Sequence, residues 1–246
     1  MTTRSLLTFG FSTTAERVKN LKAPSFNEDH ELLALVQNPK ELSYVLEIPK
    51  AKLVQLNNIG VAKSRNAAIK HASGEFLIFG DDDIVFIEEG VWEAIRYFQS
   101  HPECSIILAQ AVDETGSLRK RYTSKITPLK LTNTARAATY EMLIRVDAIK
   151  NAGISFDENF GAGVENYLGD EYIFIADALR AGLKGVHLPV VIAQHPTESS
   201  GSKWGSERDL SARAKVFSRV FGPFAPIMRL GFLLKTENKK PNLIKS

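Results

Sequence analysis

Short apolar runs alternate along the chain with longer stretches in which apolar and polar residues recur at helical spacing. The short runs end at glycine, proline, asparagine or charged residues, which is typical of buried strands. They predict strands at 5–11, 31–37, 44–48, 52–56, 76–79, 105–112, 137–145 and 185–193. The longer stretches predict helices at 15–21, 61–71, 88–100, 147–152 and 172–181. Because strands and helices alternate, we expect an α/β fold with a mainly parallel, mixed sheet and helices on both faces.

Two segments break this alternation. Residues 113–134 are rich in Lys, Arg and Thr and lack periodicity, so they predict a loop or a β excursion at the sheet edge. Residues 211–234 mix Lys and Arg with large apolar side chains, and prolines interrupt them. We therefore expect one domain over residues 1–203, followed by an amphipathic, basic helical tail over 204–246.

The composition is that of an ordinary globular protein, with 44% apolar and 24% charged residues in a chain of 246. Cys104 is the one cysteine, which excludes an internal disulfide framework and favours a reducing, cytoplasmic compartment. Neither a signal peptide nor an apolar run long enough to span a membrane is predicted.

The net charge of +3 is unevenly distributed. Residues 204–246 contain nine Lys and Arg against three Asp and Glu. Basic residues beside the apolar ones of 211–234 indicate either a helix pair lying on the inner face of a cell membrane or helices that pack on the domain with their basic groups in water.

Three consecutive aspartates, Asp81, Asp82 and Asp83, follow the predicted strand 76–79. Carboxylates this close repel each other and need an offsetting cation. Oxygen ligands suit Mg²⁺ or Mn²⁺, and ligands bind at the carboxyl ends of strands in open α/β sheets. The triplet therefore predicts a metal site, with a solvated acidic turn as the alternative.

A second acidic pair, Asp170 and Glu171, begins the predicted helix that ends near residue 181, shortly after the glycine turn 160–163. A carboxylate at a helix N-terminus is held there by backbone N–H groups. Alone, such a pair is more often an ordinary acidic first turn than a catalytic site.

In chain order, these features resemble one known family. The segment NNIGVAKSRNAAIKHASGEFLIFGDDDI runs from a glycine turn through a helix containing Arg65 and Asn66 to the three aspartates, and Gly169-Asp170-Glu171 follows later. Together they are similar to glycosyltransferase family 2, inverting nucleotide-sugar enzymes with a single Rossmann-like GT-A domain. The resemblance covers about residues 53–196, and it implies a nucleotide-sugar half over 1–112 and an acceptor half over 113–203.

The resemblance implies roles on the donor side. The donor-binding residues would be Phe11, Ser12, Gly60, Arg65, Asp81 and Asp82. The ligands of a Mn²⁺ or Mg²⁺ ion would be Asp83, Asp81 and His195, with Asp83 as the main direct ligand. The ion would neutralise charge on the leaving diphosphate.

It also implies roles on the acceptor side. Glu171 takes the position of the general base by register, and Asp170 stays open as the alternative because the family more often has aspartate at that position. Gly161, Gly163 and Glu165 resemble an acceptor-binding loop.

The implied activity is metal-dependent, inverting transfer of a sugar to a glycan or lipid-linked acceptor in surface polysaccharide synthesis. A UDP-sugar is the expected donor, although the N-terminal part lacks the family's acidic residue that reads the base. Nucleic acid is not an expected partner. One alternative is nucleotidyl transfer, but residues 5–17 lack the glycine-rich loop that sugar-nucleotide pyrophosphorylases usually carry near the N-terminus. The other alternative is a catalytically degenerate GT-A domain that binds a glycan or a partner.

Overall fold

The computed structural model of the protein describes residues 5–24, 26, 30–38, 51–196 and 207–237, and at the C-terminus the side chains of 208–231. The predicted strand 44–48 lies outside the described residues.

The strands of the described chain form one nine-stranded sheet. They are β1 Leu7–Thr14, β2 His30–Gln37, β3 Ala51–Leu56, β4 Phe76–Asp81, β5 Val85–Phe86, β6 Cys104–Val112, β7 Thr127–Pro128, β8 Met142–Arg145 and β9 Lys184–Gln194. The order is β3-β2-β1-β4-β8-β6-β9-β5, with β7 also paired to β9. The longer ladders, β1 with β2 and β4, β2 with β3, and β6 with β9, are parallel. The short ladders made by β5, β7 and β8 are antiparallel.

Helices cover both faces of this sheet. They are α1 Val61–His71, α2 Glu88–Ser100, α3 Val146–Asn151, α4 Asp170–Arg180, α5 Glu207–Phe221 and α6 Ala225–Glu237. One core layer joins α2 to the strand residues Phe9 and Phe76, and the other joins α1 and α4 to Leu77 and Phe79. The predicted α/β class, the mixed sheet and the C-terminal helical extension are confirmed.

The predicted helix over 15–21 is wrong. Strand β1 continues to Thr14, because Ser12, Thr13 and Thr14 pair with the end of β2 instead of capping a helix. Only a single 3₁₀ turn, Val18–Asn20, follows.

Two further segments differ in detail from the sequence pattern. The predicted strand 137–145 is a 3₁₀ turn, Thr139–Glu141, followed by the four residues of β8. The segment 113–134 contains the two-residue strand β7 at the sheet edge, as expected of a β excursion.

The C-terminal extension divides into a packed helix and an exposed one. Val216 and Val220 of α5 are buried against Tyr172 and Ile173 of α4. Beyond them, Phe224, Ile227 and Leu230 are 67%, 70% and 59% exposed. Among the described residues, no helix combines the length and the apolar character needed to cross a bilayer.

Candidate active site

The candidate site lies where β1, β2 and β4 end. Ser12 is paired with Asp81 across β1 and β4, and Gln37 ends β2 on the same side of the sheet as α1. Carboxyl ends of parallel strands meet at one edge, which is where open α/β sheets bind ligands.

The acidic turn after β4 separates the three aspartates. Asp82 is 3% exposed and accepts hydrogen bonds from Thr13 Oγ1 at 2.8 Å and from Arg17 Nη2 at 2.5 Å. Burial raises its pKa, against the effect of these two donors. Asp82 is therefore committed to holding the turn against β1.

Asp83 has a different environment. Its side chain is 39% exposed, and Arg17 Nη2 lies 3.7 Å from Oδ2. Its other oxygen, Oδ1, is buried and has no hydrogen-bond donor among the described residues. A buried carboxylate oxygen without a donor is costly, and a hard cation is a partner that satisfies it.

His195 lies at the same end of the sheet. The pairing of Val85 with Gln194 brings the start of β5, and with it the acidic turn, beside His195. The imidazole stacks on Tyr140 at 4.7 Å, and Nδ1 is 2.7 Å from the carbonyl oxygen of Pro196. Across the described part of the chain, no three His, Cys, Asp or Glu side chains are gathered closely enough to hold a metal ion by themselves. A cation at Asp83 would therefore depend on oxygens from its substrate as well, as Mg²⁺ commonly does.

Arg65 lies close to both acidic groups, the turn after β4 and the pair at the start of α4. From α1, its Nη1 bonds to the Asp170 carboxylate and lies 3.4 Å from Glu171 Oε1. Burial opposes the charge of Arg65, but Asp170, Glu171 and Asp81 outweigh burial and raise its pKa. Burial raises the pKa of Asp81 as well, with Arg65 acting against that rise. One buried cation thus contacts the two carboxylates of α4 and lies near the carboxylate at the end of β4.

The turn before α1 positions Arg65. Gly60 adopts φ +134°, a conformation that favours glycine, and its N–H donates to Gln37 Oε1 at 2.7 Å. The Val61 N–H donates to the carbonyl oxygen of Ala162 at 3.0 Å. The expected donor-side turn and the expected acceptor-side turn are therefore in direct contact.

The acidic pair at the start of α4 has two distinct environments. Asp170 is buried between Arg65 and Gly161, and burial and the neighbouring Glu171 raise its pKa to about 7. For Glu171, Arg65 and the Thr139 hydroxyl, which donates at 2.7 Å, outweigh burial and lower the pKa.

Glu171 is the more exposed of the two acids. Glu171 lines a cleft of about 220 Å³ between α4 and α5, with Tyr172, Arg213 and Phe217 also in its wall. Its side chain is 19% exposed, compared with 4% for Asp170. Glu171 is accordingly the carboxylate of this pair that an incoming hydroxyl group can reach.

Two expected site residues lie elsewhere. The Phe11 ring is fully buried against Phe9 and Phe86, so its side chain cannot contact a donor. Glu165 is exposed and pairs with Lys215 of α5 at 2.8 Å, away from the acidic pair. Gly161 and Gly163 do lie at the site, where a Cβ on either would meet Asp170 or Gly60 within 3.2 Å.

Several residues at the site were not identified from the sequence. They are Thr13, Arg17, Gln37 and Thr139. Thr13 could have been suspected, because it belongs to the run of hydroxyl residues at the end of β1. The contact of Thr139 with Glu171 joins residues 32 positions apart and leaves no local sequence signal.

Comparison with solved structures shows the same fold. The chain superposes on S. aureus TarS with a TM-score of 0.60 at 15% identity, covering 96% of this chain and 44% of that one. For TarS 1–349 in complex with UDP-GlcNAc the TM-score is 0.60 at 14% identity, covering 96% and 73% of the two chains. For TarS 1–349 with UDP it is 0.58 at 15% identity, covering 95% and 72%. The chain thus spans less than half the length of the longer TarS chain.

Sequence comparison supports the same assignment at the level of the family. No curated protein sequence matches the chain. The family model described as Glycosyl transferase family 2 matches residues 24–160, which is more than half of the chain and includes Gly60, Arg65 and the three aspartates. With the GT-A-like fold, this match shows that the chain belongs to glycosyltransferase family 2.

Proposed function

We propose that the protein is a metal-dependent, inverting glycosyltransferase that moves a sugar from a UDP-sugar to a hydroxyl group of a glycan or lipid-linked acceptor. The observation that carries this proposal is the pair of contacts that buried Arg65 of α1 makes with Asp170 and Glu171 on α4, near enough to Asp81 at the end of β4 for the charge of Asp81 to raise the pKa of Arg65. The proximity of the acids expected to serve donor and acceptor supports a two-substrate site. The TarS crystals that contain UDP-GlcNAc and UDP support a uridine nucleotide as the donor carrier.

On the donor side, Asp83 and Asp81 would hold Mn²⁺ or Mg²⁺ together with oxygens of the diphosphate, and His195 would contact the diphosphate. The free Oδ1 of Asp83 supports this role. The bound ion would supply charge neutralisation for the departing diphosphate. Asp82, with Thr13 and Arg17, keeps the turn in place. Ser12 and Gly60, both buried, belong to the sheet edge at which the nucleotide would bind.

On the acceptor side, Glu171 would act as the general base. The acceptor oxygen forms a bond to the anomeric carbon while the bond from that carbon to the diphosphate oxygen breaks. The acceptor proton passes to Glu171, the electron pair leaves with the diphosphate, and the anomeric configuration inverts. Thr139 and Arg65 keep Glu171 ionised before the transfer.

We also propose that the exposed apolar residues Phe224, Ile227 and Leu230, beside Arg229, rest on an anionic membrane surface. Residues 204–246 carry six more positive than negative side chains, which fits an anionic leaflet. A peripheral position of this kind would suit a lipid-linked acceptor in the synthesis of a surface polysaccharide.

The test is hydrolysis of a panel of nucleotide sugars, UDP-GlcNAc included, with and without Mn²⁺. We expect metal-dependent release of UDP, and we expect Asp83→Asn to lower it about 100-fold or more, since a metal ion contributes several kcal/mol at such sites. Glu93→Gln, an exposed carboxylate on α2, is the matched control and should leave the rate unchanged.

Two outcomes would contradict the proposal. Full metal-dependent activity of Asp83→Asn would exclude Asp83 as the ligand. No hydrolysis and no binding of any nucleoside diphosphate by the wild-type protein would instead favour a degenerate GT-A domain that binds a glycan or a partner.

A further inference from the structure

A second, larger cleft lies beside the one that contains Glu171. It has a volume of about 490 Å³, within the range of about 300–1,000 Å³ that is usual for ligand sites. Its walls come from β6 and from the segment 120–137, and Ala135 and Ala137 line both clefts. A ligand with its hydroxyl group at Glu171 can therefore extend into this larger cleft without leaving the protein surface.

The wall of this larger cleft has an unusual charge. Residues 119–136 contain six Lys and Arg and no Asp or Glu. Three of the six, Lys120, Arg121 and Arg136, line the cleft. The net charge of the whole chain is only +3, so this is a local concentration of positive charge.

A buried network fixes this wall. Glu141, 1% exposed, accepts hydrogen bonds from Lys120 Nζ and from Tyr122 Oη, both at 2.6 Å. The Ala111 N–H donates to Tyr122 Oη at 3.1 Å, and Lys120 Nζ also bonds to the carbonyl oxygen of Arg136. The charge of Lys120 is thus balanced by Glu141, and the backbone at Arg136 is held in place.

Arg121 and Arg136 are not balanced in this way. Both are exposed at the cleft, and no described carboxylate forms an ion pair with either of them. Guanidinium groups bind phosphate and carboxylate groups in a bidentate manner. The cleft thus presents two free cationic groups on a fixed wall, next to the expected base.

The 3₁₀ turn Thr139–Glu141 contacts residues of both clefts. Thr139 donates to Glu171, Tyr140 stacks on His195, and Glu141 holds Lys120. The larger cleft is therefore built into the acceptor side of the site and is not a separate surface feature.

We infer that the larger cleft binds an anionic group, a phosphate or a carboxylate, on the acceptor, and so that the acceptor is a negatively charged glycan or phosphate-containing chain. This inference rests on the proposed function, because it places the acceptor hydroxyl at Glu171. Tyr122 and His187 are the two aromatic rings in the described lining, and Lys120 Nζ lies over the Tyr122 ring, 5.3 Å from its centroid. The lining thus lacks the series of open ring faces on which successive bases of single-stranded nucleic acid stack.

The experiment measures binding of defined probes by calorimetry. The probes are an oligogalacturonate, which offers carboxylates, a short polyphosphate, and a neutral maltooligosaccharide of similar length. We expect an anionic probe to bind, with affinity that falls as salt rises, and the neutral probe to bind at least tenfold more weakly. Binding of one anionic probe alone identifies its group as the one recognised, and binding of both indicates recognition by charge.

Two double variants test whether the anionic probe binds in the larger cleft. Arg121→Gln/Arg136→Gln should weaken binding of the anionic probe about tenfold or more. The control Arg96→Gln/Lys184→Gln removes the same charge from exposed positions on α2 and at the start of β9. It should change the affinity for the anionic probe less than twofold. Equal losses in the two double variants, or equal binding of neutral and anionic probes, would overturn the inference.

A parallel titration of the wild-type protein with UDP and Mn²⁺ separates the two proposals. Binding of UDP without binding of either anionic probe overturns the inference about the acceptor alone. Binding of an anionic probe, lost in Arg121→Gln/Arg136→Gln, without binding of UDP supports the cleft and contradicts the proposed donor.

Discussion

Asp170 and Glu171 are consecutive residues whose carboxylates differ in environment. Asp170 is enclosed by Arg65 and Gly161, and burial raises its pKa. Glu171 is nearer the surface of the cleft, and Arg65 and Thr139 lower its pKa despite burial. Since the two groups interact, they titrate as a pair, and burial favours the neutral form of Asp170 over that of Glu171. Glu171 is then ionised and reachable, which are the two requirements of a general base.

This difference predicts the pH dependence of transfer. A base acts when it is deprotonated, so the rate falls as the pH drops through its pKa. With Glu171 as the base, kcat/KM should hold until the pH falls below about 4.5, the ordinary value for glutamate, since its pKa is lowered from there. With Asp170 as the base, the rate would fall about tenfold per pH unit below about 7.

The measurement is the pH profile of kcat/KM for the wild-type protein, Glu171→Gln and Asp170→Asn. We expect Glu171→Gln to lose about 10²–10⁴-fold at every pH, the usual contribution of a general base. An acid limb near pH 7 that disappears in Asp170→Asn would reverse the assignment.

At the scale of elements, glycine turns hold α1 and α4 together. Gly161 has φ +102°, and a Cβ there would lie 2.8 Å from Val61 Cγ1 and 2.9 Å from Asp170 Oδ1. The turn thus allows the start of α1 and the start of α4 to approach each other, which is the approach that brings Arg65 to Asp170 and Glu171.

Gly161→Ala should therefore reduce both stability and activity. We expect a loss in the free energy of unfolding of about 2–4 kcal/mol, from the left-handed backbone and from overpacking against Val61 and Asp170. Gly153→Ala is the matched control, because its φ is +66° and no atom lies within 4 Å of its Cβ position, so only the backbone cost of about 1–2 kcal/mol applies. Urea unfolding of both variants compares them, and equal losses would show that the contact with Asp170 does not matter.

The sequence pattern predicted correctly those helices whose ends are defined by residues close to them in the chain. Helices 61–71 and 88–100 were predicted residue for residue, because amphipathic spacing and flanking turn residues define them. The helix predicted at 15–21 does not form. The hydroxyl residues at the end of β1 pair with β2 instead, which is distant in the sequence.

The site shows the same division between local and distant contacts. Motif residues such as Asp83 and Glu171 could be named from the sequence. Their contacts could not, because Arg65 meets Asp170 across 105 positions and Glu165 pairs with Lys215 across 50. The roles assigned to the motif residues stay predictions until activity is measured.

At the scale of the whole molecule, the tail consists of one helix that packs on the domain and one that is largely exposed. Helix α5 packs on the domain: Val220 is fully buried, its carbonyl oxygen accepts a bond from Arg180, and Arg219 pairs with Asp157 and Asp177. Beyond it, Ile227 of α6 is 70% exposed. Because α5 also walls the cleft of Glu171, it links the acceptor site to the exposed helix.

Two substitutions with opposite expected effects separate these arrangements. Val220→Ala removes buried apolar volume and should lower the free energy of unfolding by about 1–3 kcal/mol, while partition onto vesicles stays unchanged. Ile227→Glu alters an exposed residue, so it should change stability by less than about 0.5 kcal/mol but reduce partition onto vesicles that contain phosphatidylglycerol. Urea unfolding and vesicle sedimentation, with pure phosphatidylcholine as the neutral comparison, measure the two quantities.

If Val220→Ala left stability intact, α5 would not belong to the cooperative unit of the domain. If Ile227→Glu sedimented with anionic vesicles as fully as the wild-type protein, the exposed face of α6 would have a role other than membrane contact.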